Sequence, residues 1–159
     1  MEDYTQKWQQ ASLCLNPLIP DPNGRSLYNN IFNSGMQQAL IDFRKYLGQI
    51  EDYKIYCQQL HAAPNNPKVQ QDLQKLEVKL AGQANNIERD CQNILRMCAE
   101  ILEFITNAKN RINSADLKKD IVDFIKILDG IIAEIKKDEQ DFSPRRIQMT
   151  LENIRRNPN

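Results

Sequence analysis

The sequence predicts an all-α fold: an antiparallel helical bundle of about five helices, built around a long coiled-coil-like hairpin. Three observations predict it. Apolar residues recur in alternating steps of three and four through two long stretches. Prolines and capping residues fall mainly between the periodic segments or at the end of the chain, and no segment shows the alternation of a half-buried strand. Of 159 residues, 41% are hydrophobic and 26% charged, which suits one domain with a sizeable core.

The first element is a short helix at about 2–15, with Tyr4, Trp8, Ala11 and Leu15 on one side. The breaker cluster "LNPLIPDPNG" at 15–24 ends it with three prolines and an Asn-Gly turn. The following "PDPNGRS" offers Arg25 and Ser26 at a helix start, which suits a turn and cap better than an anion cradle.

The second helix, about 25–62, carries the seam Tyr28, Phe32, Gly35, Ala39, Phe43, Tyr46, Ile50, Tyr53, Cys57, Leu60. "HAAPNNPK" then breaks the chain, and Asn66 can cap a third helix that opens on Pro67. That helix, about 67–113, repeats Val69, Leu73, Leu76, Leu80, Ala84, Ile87, Cys91, Ile94, Cys98, Ile101, Ile105, Ala108, Ile112. Each seam is a heptad pattern with a single stutter. Two such helices on a short loop form an antiparallel hairpin.

The apolar face is broad at one end of this hairpin, where Leu27, Ile31, Met36, Leu40 and Leu47 widen one helix and Leu95 and Leu102 the other. It narrows toward the loop. A wide stripe implies several neighbours and a narrow one a single partner. A fourth helix, about 114–141 and capped by Ser114, has a wide face of its own and should fold back on the broad end. The fifth, about 144–156 after Ser143-Pro144, is amphipathic through Ile147, Leu151 and Ile154. It can either extend the cover of the hairpin or swing out. The expectation is one domain over 1–159: a four-helix base at about 2–47 and 86–141, a slimmer projecting arm at about 47–86, and the C-terminal helix.

Chemistry is sparse in this pattern. Cys91 and Cys98 stand seven residues apart on one helix, ~10.5 Å along its axis, too far for a disulfide and unlike zinc-ligand spacing. With Cys57 they lie on the apolar seam and read as small core residues. The single histidine, His61, ends the second helix, where it suits a bond to a helix C-terminus. No catalytic residues, no metal ligands and no cofactor motif are read, and the expected protein is not an enzyme.

The candidate sites are surfaces. Ile55 and Val78 face away from the seam on the arm, and with Tyr53 and Tyr56 they form the expected partner-binding residues. Arg145, Arg146, Arg155 and Arg156 make a local basic patch on the last helix. Equal numbers of basic and acidic residues, 21 each, argue against a nucleic-acid partner and against peripheral membrane contact. No run is long and apolar enough to span a bilayer, and "MEDYTQKWQQ" lacks the form of a secretory signal. The expected setting is cytoplasmic, with export by a signal-less route left open.

These features point to a non-enzymatic protein–protein interaction module, such as an adaptor, chaperone or assembly subunit, whose partner the sequence does not identify. Pairing of two copies into a homodimer is left open. Two other readings compete: a bundle holding a small ligand or metal near Cys57, Cys91 and Cys98, and a membrane or nucleic-acid binder acting through the basic C-terminal helix.

Overall fold

A computed structural model describes residues 1–14, 19 and 22–159. The described chain runs α1 (Thr5–Leu13), α2 (Pro22–Ala62), α3 (Pro67–Lys109), α4 (Ala115–Asp141) and α5 (Pro144–Arg156). It is an all-α bundle in which the long helices α2 and α3 pack on each other. Most of the proline cluster and Leu15 lie outside the described residues. The Asn23-Gly24 pair belongs to the first turn of α2 rather than to a preceding turn, because Pro22 already opens the helix.

Local chemistry sets the helix ends. Asn66 Oδ1 accepts from the Lys68 and Val69 amides at 3.0 and 3.4 Å, and Pro67 begins α3 without needing a donor. Ser114 Oγ accepts from the Leu117 amide at 3.5 Å. Ser143 has extended geometry before Pro144, yet its side chain makes no capping bond.

The seam is buried as the spacing requires. Leu73, Leu76, Leu80, Ala84, Ile87, Cys91, Ile94, Cys98, Ile101 and Ile105 on α3 meet Phe32, Ala39, Tyr46, Ile50, Tyr53 and Cys57 on α2 within one core. α4 packs along α3, and α1 bridges α2 and α4. Trp8 fastens that bridge. Its ring stacks on Phe32 at 4.6 Å, meets Phe124 edge-on at 6.3 Å, and Nε1 donates to Asn29 Oδ1 at 3.1 Å. Tyr4 adds a bond to Asp138 Oδ2 at 3.1 Å, tying the start of the chain to α4.

Not all of the expected widening residues are inside. Met36 is buried and Leu40 half-buried, but Leu27, Ile31 and Leu47 are exposed. The reason is angular. Leu27 and Ile31 stand ~140° and ~100° round α2 from Phe32, and Leu47 ~100° round from Tyr46, beyond the sector that α1, α3 and α5 cover.

α4 ends at Asp141, and Phe142 turns the chain. Its ring lies edge-on to Phe43 and Tyr46 of α2, at 5.8 and 5.2 Å. From there α5 runs on along the arm toward the α2–α3 loop, touching α2, α3 and α4. Of the two dispositions open to α5, the structure has the docked one, so one side of the arm at 47–86 carries a third helix. α3 continues unbroken through Gly82.

Candidate functional site

The four residues expected to bind a partner do not converge. Tyr53 is fully buried, and its hydroxyl donates to Glu77 Oε1 at 2.9 Å. Tyr56 is half-buried against the core. Ile55 is 50% exposed and Val78 74% exposed. Each of these two points away from the helix–helix seam, so they lie on opposite sides of the hairpin rather than in one patch.

The basic residues divide in the same way. Arg145 and Arg146 stand exposed at the start of α5, and Arg155 and Arg156 at its end, ~15 Å further along the axis. Arg155 is engaged with Glu77 at 3.4 Å rather than with the acidic run upstream of α5. His61 meets a helix C-terminus, but that of α5: its Nε2 lies 2.9 Å from the Arg155 carbonyl oxygen. Gln58 Nε2 donates to the Pro158 carbonyl at 3.2 Å. Between α5 and the arm lies a cavity of about 310 Å³, floored by Ala81 and Ala84 and walled by Ile147 and Leu151.

Three of the four cysteines belong to the core. Cys57, Cys91 and Cys98 are buried and unpaired with one another. Burial pushes the Cys91 and Cys98 thiols up to about 12, with nearby Asp138, Glu139 and Asp90 adding to the effect on Cys91. A thiol held protonated is a poor nucleophile and a poor metal ligand. Among the described residues, no group of three or more His, Cys, Asp or Glu side chains is placed to hold a metal ion. Among the same residues, no helix is long and apolar enough to cross a membrane.

A surface of the base is more coherent. On the face of the α2–α3 pair in the base, Tyr28, Ile31 and Gly35 of α2 and Ile94, Met97 and Ile101 of α3 line a groove of about 560 Å³. Leu27, 58% exposed, adjoins Tyr28 on α2, and exposed Phe104 continues the line of Met97 and Ile101 on α3. The groove exists partly because Gly35 has no side chain: a Cβ there would stand 3.5 Å from Ile94 Cγ1.

The two rims differ. From Ser26 to Ile41, α2 has no Asp, Glu, Lys or Arg, so its rim offers only amides and hydroxyls. The α3 rim carries Arg96 and Glu100. The sequence carries this signal as a long charge-free stretch of α2, whereas apolar periodicity alone assigns Leu27 and Ile31 to the core.

No protein-family model, curated protein or solved structure matches the chain.

Proposed function

We propose that the protein is a non-enzymatic helical interaction module, an adaptor, chaperone or assembly subunit, that receives an amphipathic helix of another protein in the α2–α3 groove. The observation that carries this is the charge-free, partly apolar face of α2 beside the groove. Depletion of charge with retained apolar and aromatic area distinguishes the centre of protein interfaces from ordinary surface. A trough between two antiparallel helices suits helix-in-groove recognition, in which residues at helical spacing fill successive pockets. An uncharged rim on one side and a rim bearing both signs on the other favour an incoming helix with one polar flank charged and one neutral. Ile55 and Val78, single and on opposite sides of the arm, stand as isolated contacts outside this surface.

The test uses affinity purification of the full chain from its native cell, with cross-linking mass spectrometry to locate the partner. Because 27–35 and 93–104 hold no lysine, photo-reactive side chains placed at Ser34 and at Phe104 should form the cross-links. Leu27→Asp with Ile31→Asp should abolish them while leaving the helical circular dichroism unchanged, whereas Ile55→Asp should not. Binding that survives the double variant, or that is lost only with Ile55→Asp, overturns the assignment. A dimer in light scattering that the double variant dissociates would replace the foreign helix by a second copy.

A further inference from the structure

Two carboxyl groups face each other inside the hairpin. Asp42 on α2 is 6% exposed and Asp90 on α3 is 8% exposed. They sit at the level where α4 hands over to α5. Gln92 of α3 donates to Glu139 near the end of α4, and Phe142 packs on Phe43 of α2.

The hydrogen bonding around the pair is unequal. Asp42 Oδ2 accepts from Gln38 Nε2 at 3.1 Å, and Oδ1 accepts from Gln83 Nε2 at 3.3 Å. Gln83, itself buried, also donates to the Asp42 carbonyl at 2.7 Å, which fixes its amide in place. Asp42 is thus surrounded as an ionised carboxylate should be. Among the described residues, Asp90 Oδ2 is buried without a hydrogen-bond partner. The Asp42 carboxyl lies close enough for each of the two groups to act on the other. Two carboxylates are acceptors only. They can share a hydrogen bond only when one of them carries a proton.

We propose that Asp90 carries a proton in the folded protein and donates it to Asp42, closing a carboxyl–carboxylate clasp between α2 and α3 that opens when the proton is lost. The charges around the clasp do not replace that proton. Lys45 on α2 acts on Asp42 and Arg89 on α3 acts on Asp90, while the α4 carboxylates Asp138 and Glu139 act on the adjacent Cys91. Burial, then the Asp42 contact and charge, push Asp90 up to about 7; the bonds from its partners hold Asp42 below the usual carboxylate value. In a coupled pair the two titrations belong to the dyad as a whole.

The sign follows from linkage. Between the ordinary value of 3.8 and about 7, the folded chain holds a proton that the unfolded chain has released. Stability therefore falls as pH rises through that window and levels off above it. The depressed Asp42 acts oppositely, losing its contribution only in stronger acid. The hairpin is thus tightest in mild acid and loosest above neutrality, with the proton itself as the ligand.

The experiment is a carboxyl-carbon NMR titration of the full chain from pH 3 to 9, alongside thermal melts of wild type, Asp90→Asn and Asp42→Asn at the same pH values. One carboxyl should titrate near neutrality. The folding constant of the wild type should fall at least ~10-fold between pH 5 and 8. Asp90→Asn keeps a donor toward Asp42 without needing a proton, so it should flatten that fall and melt higher than wild type at pH 8. Titration of both carboxyls below about pH 5 overturns the clasp. So does an Asp90→Asn profile parallel to wild type. If either variant fails to fold, the wild-type NMR titration decides alone.

Discussion

The phenol of Tyr53 on α2 donates to Glu77 Oε1 on α3 at 2.9 Å, beneath the last turns of α5. Arg155 of α5 approaches the same oxygen at 3.4 Å. One carboxylate thus joins both helices of the arm to the helix that covers them. The ion pair is partly solvated and contributes little by itself, whereas the phenol is buried and needs its acceptor.

Variants at this junction should therefore rank in a definite order. Glu77→Ala leaves a buried hydroxyl without a partner and should cost about 1–3 kcal/mol; Tyr53→Phe removes the donor with it and should cost about 0.5–1.5 kcal/mol. Denaturant unfolding measures both. Hydrogen exchange in Glu77→Ala should show α5 losing protection ahead of α2 and α3. Equal costs, or an α5 that stays protected, would show that Ile147, Leu151 and Phe142 hold the helix without the carboxylate.

The buried thiols give a second expectation. Native protein titrated with a disulfide reagent at neutral pH should expose one slow thiol, Cys14, which is half-buried at the end of α1. Cys57, Cys91 and Cys98 should react only after denaturant is added. Burial raises Cys14 too, with Asp120 and Asp123 of α4 adding to the effect, so even this thiol should react more slowly than free cysteine. Rapid reaction of Cys91 or Cys98 in the native protein would mean that the base opens far more often than its packing implies.

The architecture was legible because it depends on spacing. A three–four repeat places Leu73, Leu80, Cys91 and Cys98 on one side of a helix whatever the partner is, and Asn66-Pro67 can do little except start one. The candidate surfaces were less legible, because exposure depends on which sectors the other helices leave open. Leu27 and Ile31 look like core in one dimension and stand outside it in three. Asp42 and Asp90 were overlooked for the converse reason. Asp90 lies three residues after Ile87 and four before Ile94, a buried position, but it is polar and so stands outside the apolar pattern. A polar residue at a seam position is the signal that would have revealed the clasp.

Glycine offers a last test, separating positions that serve the fold from one that shapes the groove. Gly48, Gly82 and Gly130 lie inside α2, α3 and α4, and a Cβ added at any of them would meet nothing within 4 Å. Each costs its helix backbone entropy and contributes no packing, so Ala at each should stabilise by about 0.5–1 kcal/mol. The three are far apart and should add, raising the melting temperature by roughly 3–12 °C together. Gly35 shares the helical entropy cost, but its Cβ would touch Ile94 Cγ1 at 3.5 Å, an ordinary contact that fills the groove floor. Gly35→Ala should therefore be no less stable than wild type yet weaken capture of the partner helix, while the triple variant binds normally. Thermal melts and partner binding on the same four substitutions separate the two effects. Unchanged binding by Gly35→Ala would place the partner elsewhere on the surface.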